Sequence, residues 1–196
     1  RCAELVRHIG EHGVARAAAH DRRWLEAAGV DTSLVAEVAG KFTASFFCST
    51  DTESNQIASF YTGAMAHAGE LSFRGVDGCE LAIISPNDPG AMVQYAEECR
   101  TLGIPFIWDP GQQCARMSGP ELQDGFEGSA LVICNDYEFE LIRQKTSIDE
   151  DSLLEHTQAL VITKGENGSS IYTPAGRRDV PAVPPTRIVD PTGVGD

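Results

Sequence analysis

From residue 81 onward, short apolar runs alternate with segments of helical periodicity. Each run has four or five residues and is rich in Ile, Val and Leu, which is typical of buried strands. Buried strands separated by helices pair in parallel, so the pattern predicts a doubly wound α/β domain, with a mostly parallel sheet and helices on both faces. The predicted strands cover residues 81–84, 104–108, 130–134 and 159–163, and a hairpin of residues 169–173 and 178–180 follows them.

Local signals set the ends of the predicted helices. Asp88 precedes a proline and is an expected N-cap, and Gly103 is expected to end the helix that begins there. A second helix is predicted over residues 136–144. Ser147 with Glu150 predicts a capping box for a third helix.

Residues 35–62 differ in character from the rest of the chain. Residues 35–49 and 56–61 are rich in Val, Phe, Thr and Ser, with no helical segment between them. They are predicted to form a small separate sheet, which is either a lid over a ligand site or an edge hairpin. The expected organisation is an α/β core of residues 1–34 and 63–196 with a β lid segment inserted between its two parts.

The net charge limits the partners that the chain can bind. The formal charge is −14 over 196 residues, whereas nucleic acids and acidic membranes attract basic surfaces. Neither partner is expected, and no apolar run approaches the ~20 residues of a membrane span. A small anionic ligand remains compatible, because backbone amides or a metal ion hold phosphate whatever the global charge.

The six cysteines are widely spaced and form no C-x-x-C pair. Cys99 falls on a helical pattern and Cys134 ends an apolar strand. Both are therefore predicted to be small buried hydrophobic residues rather than parts of a disulfide framework. Free buried thiols are typical of a reducing compartment, which predicts a cytoplasmic location.

Polar residues follow each predicted parallel strand. In open parallel sheets, ligands bind outside the carboxyl ends of the strands, so this edge is the expected ligand site. The residues that follow the four strands are Asn87 and Asp88, then Asp109 to Gln112, then Asn135 and Glu138, and finally Lys164 and Gly165.

The segment Asp190-Pro-Thr-Gly-Val-Gly-Asp196 carries the clearest chemical signal. Two glycines around one residue allow backbone N–H groups to converge into an anion-binding concavity. Asp196 beside them could accept the proton of an attacking hydroxyl. The residues by themselves leave open an ordinary glycine-rich turn in which Asp196 is a helix N-cap.

Four motifs in order, over nearly the whole chain, resemble the ribokinase-like (PfkB) carbohydrate and nucleoside kinases. The terminal segment resembles the family's signature, and Asn135-Asp-Tyr-Glu138 resembles its N-x-x-E motif, although these two residues would equally form a capping box. Residues 163–168 (Thr-Lys-Gly-Glu-Asn-Gly) resemble its T-x-G-x-x-G segment, and Gly29-Val-Asp-Thr32 resembles the entry into its lid.

The resemblance implies transfer of the γ-phosphate of ATP to a hydroxymethyl group, with ATP and Mg²⁺ as cofactors. Asp196 would deprotonate the acceptor, while the backbone amides of Gly193, Val194 and Gly195 would stabilise the transferring group. Glu138, acting through water, and Asn135 would serve the metal. The implied cofactor-binding residues are Asn135, Glu138, Thr163, Lys164, Gly165, Gly168 and Thr192.

Four segments resemble the adenosine and nucleoside kinase branch of the family more than ribokinase itself, which implies an adenosine-like acceptor. They are Asn55-Gln56, Phe60, Gly63-Ala-Met65 and Asp109-Pro-Gly-Gln112. The rings of the lid segment either stack a nucleobase or form the core of the lid; they are Phe42, Phe46, Phe47, Phe60 and Tyr61. The implied substrate-binding residues are Asn55, Gln56, Phe60, Asp109 and Gln112.

Other functions stay open from sequence. One is a sugar kinase of the same family, and another is a non-catalytic Rossmann-like binding module, whose exposed lid strands could pair in a homodimer. Family segments that hold the sugar and complete the adenine pocket have no counterpart in the chain, so an internal fragment with little or no kinase activity of its own is expected. A dehydrogenase is not expected, because no G-x-G-x-x-G follows an early strand.

Overall fold

Strands and helices alternate after residue 81, as the sequence predicts. The structure is a computed structural model that describes residues 9–10, 22–50 and 56–184, with the backbone alone at 9–10, 48–50 and 56–58. The helices in these ranges are α1 (22–27), α2 (Pro89–Leu102), α3 (Gly119–Phe126), α4 (Asp136–Thr146) and α5 (Glu150–Leu153), and the longer 3₁₀ segments are Gly63–Glu70 and Gly111–Ala115. The strands are β1 (Ile9–Gly10), β2 (Glu37–Val38), β3 (Ser45–Thr50), β4 (Gln56–Tyr61), β5 (Ala82–Ile84), β6 (Phe106–Trp108), β7 (Leu131–Asn135), β8 (Leu160–Thr163), β9 (Ser169–Thr173) and β10 (Gly176–Val180).

A six-stranded mixed sheet forms the centre of the described structure. Its strand order is β10-β9-β8-β7-β6-β5. Strands β5 to β8 are parallel, while β9 and β10 form an antiparallel hairpin at one edge. The predicted α/β class, the mostly parallel sheet and the terminal hairpin are confirmed.

The described helices that contact the sheet cover one of its faces, and the predicted helices on the other face have no counterpart among them. Helix α2 contacts β5 and β6, α4 contacts β7 and β8, and α3 contacts both α2 and α4. Because successive strand residues point to opposite faces, every second strand residue is buried beneath these helices, while Ile83 on the other face is 53% exposed. The strand residues of this core are Ala82, Ile84, Phe106, Trp108, Val132, Cys134, Leu160 and Ile162.

The ends of α2 are those that its sequence signals predict. The Asp88 carboxylate accepts a hydrogen bond from the Ala91 backbone N–H at 3.1 Å. At the other end, Gly103 has a φ of 69°, in the left-handed region that glycine adopts without steric cost. Helix α2 therefore holds the loop after β5 at the carboxyl edge of the sheet.

The predicted capping box of Ser147 and Glu150 is wrong. Helix α4 continues to Thr146, and Ser147 is its C-cap, with a φ of 60° and its N–H bonded to the Arg143 carbonyl at 2.8 Å. Asp149 takes the N-cap role instead, since its carboxylate accepts from the Ser152 N–H at 2.9 Å. An N-cap residue is typically in the β region, which Asp149 adopts with a φ of −94° and Ser147 does not, so the cap lies two residues further along.

The N-terminal strands are separate from the six-stranded sheet. Strand β1 pairs in parallel with β2, and β3 pairs antiparallel with β4 in a two-stranded sheet of its own. The predicted strand of residues 35–49 is interrupted, because Gly40 has a φ of 71° and residues 39–44 are not extended in a ladder. After β4, the 3₁₀ segment packs on α2, where the Tyr95 hydroxyl donates to the Ala68 carbonyl.

The described helices include none that is both long and apolar enough to cross a membrane.

Candidate active site

Two of the predicted motifs lie side by side at the carboxyl edge of the sheet. In the register of β7 and β8, Asn135 is the direct partner of Thr163. Both residues are exposed. The N-x-x-E motif and the T-x-G-x-x-G segment, which are 28 positions apart in sequence, therefore face the same space at this edge.

Asn135 and Glu138 form a reciprocal capping box. The Asn135 side-chain oxygen accepts from the Glu138 N–H, and the Glu138 carboxylate accepts from the Asn135 N–H, both at 2.8 Å. The structural role that the sequence left open is thus present. This role does not occupy every acceptor position of the Glu138 side chain, since an ionised carboxylate offers about four such positions and Glu138 is only half-buried.

This donor set fits a magnesium ion held through water. Oxygen atoms are the ligands that Mg²⁺ prefers, and the ion usually keeps several waters beside one or two carboxylates and the phosphates. Among the described residues, no group of three or more His, Cys, Asp or Glu side chains is assembled for a metal. A single carboxylate at Glu138 matches an ion that takes most of its ligands from water and phosphate.

The loop after β8 is shaped by its glycines. The Lys164 N–H donates to the Gly168 carbonyl at 2.7 Å, which closes the loop. Gly168 has a φ of 80°, and a Cβ there would lie 2.0 Å from the Val180 carbonyl oxygen, so only glycine fits. Gly165 has a φ of 54° with open space around it. The two glycines therefore leave the backbone accessible at Gly165 and fix the close turn at Gly168, beside the exposed side chains of Glu166 and Asn167.

Lys164 has a second bonding partner within the hairpin. Its ammonium donates to the Ser170 hydroxyl at 2.6 Å, and that hydroxyl donates to the Asp179 carboxylate. Hydrogen bonds from Ser170 and Arg177 hold the pKa of Asp179 below its ordinary value, so this carboxylate is ionised at neutral pH. The predicted cofactor contact of Lys164 would have to use the ammonium protons that Ser170 leaves available.

The residues after β6 form a constrained loop, which we call the acceptor loop (residues 109–118). The Asp109 N–H donates to the Ile84 carbonyl at 2.9 Å, which ties its start to β5. Gly111 has a φ of 47°, and a Cβ there would lie 2.5 Å from Pro86 Cγ. Gln112, in the 3₁₀ turn that follows, is exposed. The loops after β5 and β6 are therefore in direct contact.

Asn87 is a candidate site residue that the sequence indicated only as one of several polar residues at the edge. It is 1% exposed, and its side-chain oxygen accepts from the Asp88 N–H at 2.8 Å. Its side-chain nitrogen has no hydrogen-bond partner among the described residues. A buried unpaired donor is costly, so a ligand hydrogen bond at Asn87 would remove that cost.

The lid strands expose their aromatic rings. Phe46 is 63% exposed and Phe47 66%. Phe60, the predicted substrate contact, is the cross-strand partner of Phe46 and is 47% exposed. Phe42 and Tyr61 are likewise exposed, with their rings in edge contact at 6.3 Å. Within the described residues, these five rings do not form a buried lid core. Gln56 is placed on β4 by its backbone.

The remaining predicted site residues lie outside the described residues. They are Asn55, Thr192, Gly193, Val194, Gly195 and Asp196.

The buried cysteine of the acceptor loop is not a nucleophile. Cys114 is fully buried, and burial first, then the nearby Glu138 carboxylate, raises the pKa of its thiol to about 12. Burial also raises the pKa of Cys134 well above its ordinary value. Cys99 and Cys134 are buried and free, as predicted, so these thiols act as packing groups at neutral pH.

The fold and this edge define an α/β protein of the class that binds ligands at the carboxyl ends of parallel strands. The profile of the pfkB family carbohydrate kinases matches residues 6–196. The chain belongs to this family.

Nucleoside kinases are among the similar proteins. The chain is 32% identical to the nucleoside kinase of Methanocaldococcus jannaschii over 147 residues. This alignment covers 75% of this chain and 48% of the relative. The structure of the nucleoside kinase of that organism superposes with a TM-score of 0.87 at 27% identity, over 96% of this chain and 61% of the other. The structure of the Burkholderia thailandensis nucleoside kinase in complex with inosine superposes with a TM-score of 0.81 at 35% identity, over 95% of this chain and 60% of the other. That enzyme has also been solved in complex with ADP-inosine. The chain thus spans about half to three-fifths of the length of these relatives.

Proposed function

We propose that this chain belongs to an ATP-dependent kinase that phosphorylates a nucleoside. The observation that carries the proposal is the pairing of Asn135 with Thr163 at the carboxyl edge, because it brings two segments that resemble kinase motifs next to each other. Membership of the pfkB family supports phosphoryl transfer, and the nucleoside kinases among its relatives support the acceptor class.

In the proposed reaction, the hydroxymethyl oxygen of the acceptor attacks the γ-phosphorus of ATP. The bond from that phosphorus to the β–γ bridging oxygen breaks, and ADP leaves. Asp196 takes the proton of the hydroxyl, and the amides of Gly193, Val194 and Gly195 stabilise charge on the transferring phosphoryl group. Mg²⁺, when bound, supplies positive charge to the phosphates; Glu138 would hold it through water, with Asn135 alongside.

The phosphate end of ATP is proposed to lie against the loop of Thr163 and Gly168, with Thr192 completing the anion site. Backbone N–H groups suit this role, since they hold phosphate even in a chain whose formal net charge is −14. Gly165 keeps the approach to the backbone open.

The acceptor is proposed to bind between the lid and the acceptor loop. Asn55, Gln56 and Phe60 would contact it from the lid, and Asp109 and Gln112 from the loop, in an adenosine-like mode. The buried donor of Asn87 supports a polar acceptor group nearby. A sugar kinase of the same family is the alternative, and the choice of acceptor separates the two.

The test is an acceptor panel with the protein expressed from its complete reading frame. ADP formation from ATP and Mg²⁺ is measured with purine nucleosides, pyrimidine nucleosides, ribose and fructose. We expect the highest kcat/KM for a purine nucleoside. Turnover of sugars alone would reject the nucleoside assignment, and no turnover with any acceptor would reject the kinase.

The role of the terminal aspartate is tested in the same protein. D196N should lower kcat by ~10²-fold or more, because a positioned base contributes about that much, while nucleoside binding measured by calorimetry persists. Undiminished turnover would remove Asp196 from the mechanism. The 196-residue chain by itself is expected to show little or no ADP formation.

We further propose that the lid strands mediate a homodimer in the cytoplasm. Phe46 and Phe47 are neighbours on one strand and therefore point to opposite faces of the hairpin, yet both are more than 60% exposed. One face can serve the acceptor while the other meets a second copy. Sedimentation and the nucleoside KM, both measured for F46S and F47S, test this: one variant should dissociate, and the other should keep its oligomeric state and lose acceptor affinity. If both variants keep the oligomeric state of the wild type, the dimer is rejected.

The proposed cytoplasmic location is supported by the four free cysteines of the described residues, because free thiols are typical of a reducing compartment.

A further inference from the structure

Lys145, in the last turn of α4, contacts the backbone of the acceptor loop. Lys145 Nζ donates to the backbone carbonyls of Cys114 at 2.6 Å, Ala115 at 2.9 Å and Met117 at 2.7 Å. An ammonium group has three N–H donors, so this one makes its full set of bonds to a single short stretch of backbone. Lys145 is half-buried.

These three carbonyls lie where a helix leaves its backbone acceptors without hydrogen-bond donors. They belong to the end of the 3₁₀ segment Gly111–Ala115 and the residues after it, where the last carbonyls of a helix lack partners within the helix. A positive charge at a helix C-terminus also interacts favourably with its dipole. Lys145 thus satisfies both the hydrogen bonds and the electrostatics at the end of this turn.

The same helix carries the phosphate side of the candidate site. The first turn of α4 holds the capping box of Asn135 and Glu138, and its last turn holds Lys145. The far end of the acceptor loop is fixed by the contact of Gly111 with Pro86. Between these two anchors lies Gln112, a proposed acceptor contact. Helix α4 therefore connects the capping box of Asn135 and Glu138, on the proposed phosphate side of the site, to the acceptor loop through the side chain of Lys145.

We propose that Lys145 is a positioning residue that holds the acceptor loop in the conformation that binds the nucleoside. The proposal rests on the proposed kinase function. Charge-assisted hydrogen bonds are stronger than neutral ones, so their loss lets the loop occupy other conformations. When only a fraction of molecules is competent to bind, the apparent affinity falls by that fraction, while molecules that have bound react as before.

The experiment compares K145M, K145R and a matched control in the protein from the complete reading frame. The control is R100M, because Arg100 donates to the Asp124 and Glu127 carbonyls at the end of α3, at 2.7 and 2.9 Å. That arginine performs the same kind of capping away from the acceptor loop. Steady-state kinetics give KM for nucleoside, KM for ATP and kcat, and hydrogen exchange reports on the amides of residues 112–117.

We expect K145M to raise the nucleoside KM by ~10-fold, with kcat and the ATP KM within about twofold of wild type. The amides of residues 112–117 should exchange faster in K145M than in R100M, and K145R should recover part of the affinity. An unchanged nucleoside KM in K145M, or an equal rise in R100M, would overturn the proposal. If K145M does not fold, K145Q, which retains two neutral donors, takes its place under the same criteria.

A protein that phosphorylates no nucleoside would reject the proposed function without deciding the role of Lys145. In that case the exchange measurement decides it. Equal exchange of residues 112–117 in the wild type and K145M would show that Lys145 does not hold the loop.

Discussion

At the scale of single residues, burial decides what the ionisable groups of the core can do. Cys99 is fully buried, and burial is the main cause that raises the pKa of its thiol to about 12. Tyr95 on the same helix also has its pKa raised to about 12, chiefly by burial and then by the Glu98 carboxylate. These groups stay protonated in the folded protein well above the pH at which they ionise in an unfolded chain.

This difference predicts a loss of stability in alkali. Between the pKa of an unfolded thiol, ~8.5, and about 12, the unfolded state binds fewer protons than the folded state, so the free energy of unfolding falls as pH rises. Each such thiol contributes up to ~1.4 kcal/mol per pH unit. Urea unfolding between pH 7.5 and 10 measures the slope, which C99A and C114A should each make shallower. Equal slopes in wild type and both variants would contradict this.

Close packing at Gly125 gives a second prediction at this scale. A Cβ at Gly125 would lie 2.1 Å from Cζ2 of Trp108, which is fully buried. G125A should therefore lower the free energy of unfolding by about 1–3 kcal/mol, the usual cost of overpacking a core. The matched control is G69A, where the nearest atom to the new Cβ is 3.8 Å away. If the denaturant midpoints of G125A and G69A agree, the core accommodates the extra methyl group without that cost.

At the scale of elements, the ends of helices carry both structure and candidate function. The capping box of Asn135 and Glu138 starts α4 at the carboxyl edge of the sheet, where a ligand would meet the same two side chains. Sequence predicted these residues but could not choose between the two roles, because the same hydrogen-bonding groups serve both. The geometry shows that the cap exists and that the carboxylate retains acceptor capacity.

Two variants separate these roles. N135A should lower the free energy of unfolding by about 1 kcal/mol, the usual loss of an N-cap. E138Q should preserve the fold, because Gln completes a capping box as Glu does. It should raise the Mg²⁺ concentration needed for half-maximal turnover, since the carboxylate charge is gone. Thermal melts and a magnesium titration provide the readouts, and an unaltered magnesium requirement in E138Q would exclude Glu138 from the metal site.

The acceptor loop shows what spacing along one element cannot reveal. Asp109 and Gln112 were predicted from their place after a strand, and the structure puts them in a turn with tight constraints. Lys145 lies about 30 residues further on, and no pattern in its own helix indicates that it reaches the carbonyls of Cys114 and Met117. The contact depends on how α4 packs on the loop, which is a tertiary property.

At the scale of the whole molecule, the excess of acidic residues opposes the compact state. A net charge of −14 on 196 residues repels itself, and salt screens that repulsion over about 10 Å at 0.1 M. The melting temperature should rise when NaCl is raised from about 10 to about 150 mM. Choline chloride at equal ionic strength should act alike if screening is the cause. A melting temperature that falls or stays constant with both salts would show that self-repulsion is not significant.

The sequence by itself determined the α/β class and the parallel core, because apolar runs and helical periodicity are local and each is closed by its own caps and turns. It also predicted that Asn135 and Glu138 lie at the carboxyl edge of the sheet, since residues that follow parallel strands reach a common edge, whereas Thr163 was predicted only from its motif's resemblance to the kinase family. Tertiary structure alone decided that Ser147 ends α4 rather than starting α5, that the side-chain nitrogen of Asn87 is buried without a partner among the described residues, and that Lys145 bonds to the acceptor loop. These features depend on which surfaces pack together, and contacts between residues far apart in sequence leave no periodic trace along the chain.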